Sequence, residues 1–312
     1  MSIYLVNWTH LDDTAGGVER RYSLLKNAFP GIRVKLVSAH KLSNGSSSLN
    51  VKIKAVNAFL LKNTKEDDIV IKDAGVGTSK LKAKKILIFG NPYQSLINYY
   101  SKHLGVSYWK DLVGAQKLDA YTADINIANS FFSKYDAELS GIKIDHVVHN
   151  GVDINFWKPG GKKLGYVLWV GSEFKEKALN FSLPELQRLV GTPIKKVYKE
   201  DGLTIEQLLP LYQGASCYFH PFPIEGNSNA VLEALSCNLP VLISLSGLFY
   251  NKFNNRDVDY IRNEDSVKEI ALQLQAILKA PYKYHPREFI IDQKLTADDY
   301  IKRIQEVLSD HL

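Results

Sequence analysis

The chain has 312 residues, of which 45% are hydrophobic and 23% charged, with a formal net charge of +6. That composition excludes a disordered or fibrous protein, and the length, about twice that of a usual domain, implies two cores. No apolar run approaches the roughly 18 residues that cross a bilayer. Residues 1–7 lack the basic start of a signal peptide. Two cysteines, Cys217 and Cys237, make neither a disulfide framework nor a four-cysteine metal site, and their apolar surroundings read as packing positions. The simplest expectation is a soluble cytoplasmic protein of two domains.

In the first half, short β-branched runs at 3–6, 32–37, 69–71, 86–89 and 125–128 alternate with helical stretches at 17–28, 50–63 and 110–121. In the second half, strand-like runs at 167–170, 196–199, 217–219 and 240–243 alternate with helical patterns near 204–213, 229–237, 267–279 and 296–309. Continuous rather than alternating hydrophobicity marks strands covered on both faces, and the alternation of types predicts two doubly wound α/β domains. The breaker-rich, basic segment 157–163 is the best boundary. It sets a first domain over 1–159 and a second over 160–295, with 296–312 left as an amphipathic helix bearing Ile301, Ile304 and Val307 on one stripe.

Charge is uneven. Residues 1–150 carry a balance of +7 and residues 151–312 a balance of −1. A basic half suits an anionic partner such as a lipid surface, nucleic acid or an acidic saccharide, and a purely solubilising role is an equal alternative.

Ligands of doubly wound sheets sit beyond the carboxyl ends of the strands, so chemistry is expected in the loops that leave strands. Gly16-Gly17 follows the first strand and opens a helix, where backbone N–H groups can meet an anion, although a plain turn has the same look. Gly171-Ser172 with Lys175 and Lys177 follows the first strand of the second half, and two ammonium groups there could neutralise a phosphate. The richest stretch runs from His220 through Glu225, Gly226, Asn227, Ser228 and Asn229 to Glu233. Two carboxylates flank a helix start, with Ser228 or Asn229 as its cap, an arrangement suited to a polyhydroxyl ligand that carries a phosphate.

Glu225-Gly226-Asn227-Ser228-Asn229 and Glu233-Ala234, followed by Pro240-Val241, resemble the E-x7-E motif of family 4 glycosyltransferases. Asn150-Gly151-Val152-Asp153 with Phe156 and Pro159 is similar to that family's N-G-V-D segment, with Phe156 one position early. The resemblance spans about residues 14–245 and implies a GT-B fold, two Rossmann-like domains facing across a cleft, with the last helix returning to the first domain. It implies a retaining, hexosyltransferase-type enzyme that needs no metal or other cofactor and uses a nucleotide-diphosphate sugar, UDP- or GDP-sugar first, as donor. Glu225 would hold the sugar hydroxyls, Glu233 the ribose, and Lys177 the departing diphosphate, aided by Gly16, Gly17 and the 227–229 turn. Tyr198 and Lys199 are placed near the base, and Asn91 and Tyr93, after the fourth strand, near the acceptor. The acceptor would be a saccharide or lipid-linked glycan precursor bound by the basic first domain, which could also rest on the inner face of an anionic membrane.

The sequence departs from the family at three places. Ser172 stands where the family has a phosphate-binding Arg, Ala178 where it has Gly, and Asn238 where it has the Gly that ends the helix. Asn tolerates a left-handed helix end, whereas Lys175 is a monodentate substitute for a guanidinium. No first-domain histidine matches the family's acceptor-side His, His10 and His103 being the other candidates. Asp257-Val258-Asp259 has the look of a metal-binding D-x-D but is read as structural. Two alternatives stay open: a GT-B-fold binding protein weakened by Ser172, and a nucleic-acid-directed glycosyltransferase using Tyr99, Tyr100, Tyr108 and Trp109 beside Lys102 and Lys110. Nucleic acid is the less favoured partner.

Overall fold

A computed structural model describes residues 1–7, 17–26, 28–46, 48–75, 80–100, 107–177, 179–249, 258–261 and 265–309, without the side chains of 17–19, 99, 100, 107–109, 174 and 177. The 14–16 part of the glycine loop, His10, His103, Lys102, Ala178 and Asp257 lie outside the described residues, as do the side chains of Lys177, Tyr99, Tyr100, Tyr108 and Trp109. The chain forms two compact units. One comprises Met1–His149 with Ile301–Leu312, the other Asn150–Tyr300.

The first unit runs β1 (Ser2–Asn7), α1 (Gly17–Lys26), β2 (Arg33–Ser38), α2 (Ala39–Leu42), α3 (Leu49–Asn63), β3 (Ile69–Asp73), β4 (Lys84–Phe89), α4 (Tyr93–Tyr100), α5 (Ser107–Tyr121), β5 (Ile125–Ala128), α6 (Phe131–Leu139) and β6 (His146–Val147). Its strands make one parallel sheet in the order β2-β1-β3-β4-β5-β6. The central strands are apolar on both faces because helices cover both: Tyr4, Val6 and Val70 pack with Val56 and Leu60 of α3, while Leu87, Phe89 and Ala128 pack with Ala137 of α6.

The second unit runs β7 (Val167–Gly171), α7 (Glu173–Lys177), α8 (Leu183–Val190), β8 (Ile194–Tyr198), α9 (Ile205–Gly214), β9 (Cys217–His220), α10 (Asn229–Ser236), β10 (Val241–Ser244), β11 (Val258–Ile261), α11 (Val267–Lys279), α12 (Pro286–Asp292) and α13 (Ala297–Leu308), the last of which continues into the first unit. Its parallel sheet has the order β11-β10-β9-β7-β8. The core joins Trp169, Phe219 and Leu242 of the sheet to Leu186 of α8 and Leu274 of α11. Cys217 and Cys237 are free and buried. Among the described residues, no helix is long and apolar enough to cross a membrane.

The units divide near residue 150, ten residues before the 159/160 boundary that the breaker-rich segment sets in sequence. Hydrogen bonding explains the difference. Val152 N–H donates to Leu295 O (2.9 Å) and Ala297 N–H to Val152 O (2.8 Å), so residues 150–153 are laced to the start of α13. Gly151 passes so close to this turn that a Cβ there would lie 2.4 Å from Thr296 O. Farther along, the Arg287 guanidinium donates to Ile154 O (2.9 Å) and Trp157 O (3.0 Å), and the Gln213 amide to Lys158 O (2.9 Å). The Gly and Pro residues at 159–161 break the local pattern without separating the cores. The 301–309 part of α13 belongs to the first unit, where Ile304 and Leu308 are buried and the Gln305 amide donates to Ala28 O.

Candidate functional site

In the second sheet, β8 lies on one side of β7 and β9 on the other, so the chain reverses its direction of travel between β7 and β9. That switch point opens a crevice at the carboxyl ends of the two strands, where doubly wound sheets take ligands. β7 ends there in Gly171-Ser172 and β9 in His220.

Lys175 of α7 and Glu225 of the loop after β9 meet there, with Nζ 2.5 Å from Oε2, and both are partly exposed. The Lys175 ammonium also lies 4.6 Å from the centre of the Phe222 ring, which stands edge-to-face with the His220 ring at 4.7 Å. His220 Nε2 stands 3.9 Å from the same Glu225 oxygen. The imidazole is buried, and burial together with the Lys175 charge holds its pKa well below the usual histidine value. Ser172, where a phosphate-binding Arg was missed in the sequence, caps α7: its Oγ accepts from Lys175 N–H at 3.3 Å.

Glu225, His220, Asn227 and Ser228 line an open pocket of about 270 Å³, open solvent included, whose other wall is Ile243, Ser244 and the 246–249 turn. Ser228 is the N-cap of α10 by backbone geometry and makes no side-chain cap hydrogen bond. The first turn of α10 therefore presents backbone N–H groups and the positive end of the helix dipole beside the pocket. From below, the Asn150 amide holds this turn through Asn227 O (3.1 Å) and Asn229 Oδ1 (2.9 Å). The N-G-V-D and E-x7-E segments are thus in direct contact. Asn238 ends α10 at φ +54, the left-handed conformation anticipated there.

Other residues singled out in the sequence fall elsewhere. Glu233 is 2% exposed within α10 and is not part of the pocket that Glu225 lines. Tyr198 packs its ring edge on Trp169, and its hydroxyl donates to Glu176, whose other oxygen takes the Lys196 ammonium at 3.1 Å. That network ties the end of β8 to α7. Lys199 is exposed in the following turn. Asp259 lies in β11 and accepts from the Tyr284 hydroxyl. In the first unit, Asn91 Nδ2 donates to Tyr93 Oη at 3.2 Å on the surface after β4. Gly17 is the first residue of α1. His220 opens the richest stretch in sequence but was assigned no role there; its signal was its place at a strand's carboxyl end, five residues before Glu225.

No protein-family model and no curated protein matches the sequence. Solved structures do. Sucrose-phosphate synthase from Thermosynechococcus elongatus superposes with a TM-score of 0.74 at 12% identity, over 99% of this chain and 98% of that one. Anabaena HepE in complex with UDP-glucose superposes at 0.69 and 14% identity, over 99% and 100%. The UDP-forming α,α-trehalose-phosphate synthase from Burkholderia xenovorans, in complex with glucose-6-phosphate, superposes at 0.64 and 13%, over 99% and 100%. With two parallel doubly wound sheets of six and five strands, the chain has the two-domain α/β GT-B fold.

Proposed function

We propose that the chain is a glycosyltransferase that takes a sugar from a nucleotide-diphosphate donor and passes it to an acceptor hydroxyl with retention at the anomeric carbon. The observation that carries this reading is the Lys175–Glu225–His220 cluster at the β7/β9 switch point, beside the start of α10. A carboxylate that accepts hydrogen bonds suits sugar hydroxyls. The ammonium and the α10 amides suit a diphosphate, and Lys177, in the same short helix, is a second cation for it. Stabilising the charge of the departing diphosphate is the main catalytic contribution. Because Lys175 is held by Glu225 and not by a fixed network of amides, a diphosphate entering the pocket competes with that carboxylate for the ammonium.

UDP is the first nucleotide to try, since HepE was crystallised with UDP-glucose and the trehalose-phosphate synthase is a UDP-forming enzyme. On the same reading, the excess positive charge of residues 1–150 serves an anionic saccharide or lipid-linked acceptor, or the membrane that carries it.

The test is a thermal-shift and donor-hydrolysis screen of UDP-, GDP-, ADP-, TDP- and CMP-sugars against the unaltered chain, Glu225→Ala and Lys175→Ala. Stabilisation by one nucleotide, with slow nucleotide release that both variants lose, supports the reading; anomeric proton couplings of the product then decide retention. If no nucleotide raises the melting temperature, the fold has been kept without this chemistry.

A further inference from the structure

The ring of His220 is fixed on three sides. Tyr218 Oη lies 3.1 Å from Nδ1, the Tyr218 ring stacks on the imidazole at 5.8 Å and 28°, and the Phe222 ring meets it edge-on. The residue is 3% exposed, yet it lines the pocket. Its Nε2 is buried with no hydrogen-bond partner, because Glu225 Oε2, at 3.9 Å, is too far for a direct bond. The imidazole is held neutral by burial and by Lys175, so it carries one N–H. In the tautomer in which Tyr218 Oη donates to Nδ1, that hydrogen is on Nε2 and faces the Glu225 carboxylate across the gap.

An oxygen about 2.8 Å from each atom fits such a gap. It must accept from Nε2–H and donate to a carboxylate. A hydroxyl does both, whereas a carbonyl, ether or phosphate oxygen cannot.

We propose that His220 is a specificity-determining residue: Nε2–H and the Glu225 carboxylate together hold one hydroxyl of the transferred sugar. This rests on the donor reading above. A buried site built to bond one hydroxyl discriminates strongly against an analogue that lacks it, since both of its polar groups are then stranded.

Calorimetric titration of the unaltered chain, His220→Phe and His220→Gln with UDP tests this, run beside whichever of UDP-glucose, UDP-galactose and UDP-N-acetylglucosamine binds best. His220→Phe keeps the ring and removes the donor; the Gln amide N–H reaches the Nε2 position. The expected result is about tenfold weaker binding of the UDP-sugar to His220→Phe with UDP affinity unchanged, and recovery of most of the loss in His220→Gln. Monodeoxy donors should show one position whose loss hurts the unaltered chain and not His220→Phe. Equal losses for UDP and UDP-sugar, or no loss for the sugar, overturn the proposal while leaving the donor reading intact. Should His220→Phe fail to fold, the deoxy series on the unaltered chain decides, and the absence of a uniquely sensitive position rejects the idea. Where the nucleotide screen selects another base, that nucleotide and its sugar replace UDP and UDP-sugar in the titration; failure of the unaltered chain to bind any screened nucleotide or nucleotide sugar removes the donor reading and this inference with it.

Discussion

The Asn150 side-chain amide divides its two hydrogens between Asn227 O (3.1 Å) and Asn229 Oδ1 (2.9 Å), residues 77 and 79 positions away in sequence. It fixes the turn between Glu225 and α10 from a segment that is itself laced to the start of α13. Asn150 is 5% exposed, so water cannot replace it. Asn150→Ala removes one donor from the buried Asn227 O and one from the partly buried Asn229 Oδ1, and should cost about 1–3 kcal/mol of stability. Asn150→Asp should cost more, because it sets a carboxylate against two oxygens. Denaturant unfolding measures both, and UDP titration should show weaker binding for each. An Asn150→Asp protein as stable as Asn150→Ala would mean that the fork is not formed in solution.

Gly247 lies behind the same loop. Its φ is +57, and a Cβ there would lie 2.5 Å from Gly226 O and 3.1 Å from Glu225 O, backbone atoms that cannot swing aside. Ser246 Oγ donates to Phe222 O at 3.0 Å, strapping the turn to the loop that carries Glu225. Gly247→Ala should therefore destabilise by roughly 1–3 kcal/mol and displace Glu225, lowering donor affinity as well. Leu245→Ala, at a residue 50% exposed, is the control and should do neither. Equal melting temperatures and equal nucleotide affinities for the two variants would count against this account.

The strands were legible where both faces are covered, since a continuous apolar run needs no partner to be recognised. The helices at 229–237 and 267–279 were legible from their periodicity. What the sequence hid depends on residues far away. At the start of α4 the Ser95 and Gln94 N–H groups donate to the Asp136 carboxylate of α6, at 2.6 Å and 3.2 Å, so this helix start carries no local cap signal. β6 is two residues long and exists only as an addition to β5. At the site, the E-x7-E and N-G-V-D segments were readable, but their contact through Asn150 was not. Ser172 read as the loss of an Arg, whereas it caps α7.

A buried ion pair underlies the first sheet. Lys72 of β3, fully buried, has Nζ 2.7 Å from Asp119 Oδ1 of α5, and Oδ2 accepts from Gly75 N–H at 2.8 Å. Burial pulls the lysine down to about 8, with Asp119 offsetting part of that shift. Breaking such a pair from one side strands a charge and costs about 3–5 kcal/mol, whereas replacing both partners costs less. Asp119→Asn and Lys72→Met should each destabilise strongly, and the double variant should recover a substantial part. A double-mutant cycle by denaturant unfolding measures it. Simple additivity of the two losses would show that the pair is not coupled.

His149 gives the fold an acid sensitivity of known sign. Its Nδ1 bonds to Asn129 O at 3.2 Å, which requires the hydrogen on Nδ1, and Phe131 meets the ring edge-on. Burial lowers its pKa to about 4; the Asn129 carbonyl opposes the shift and Arg303 adds to it. The unfolded chain protonates this histidine near 6.5 and the folded chain only near 4, so the unfolded state binds the extra proton in between. The stability it contributes is complete above about 6.5 and is lost as pH falls towards 4, on the order of 3 kcal/mol in all. His220 titrates in the same direction, so the test is a difference. His149→Asn keeps a donor near Nδ1 and cannot take up a proton. Its stability relative to the unaltered chain should rise steadily from pH 6.5 to 4, whereas parallel stability curves would place His149 in water rather than in the core.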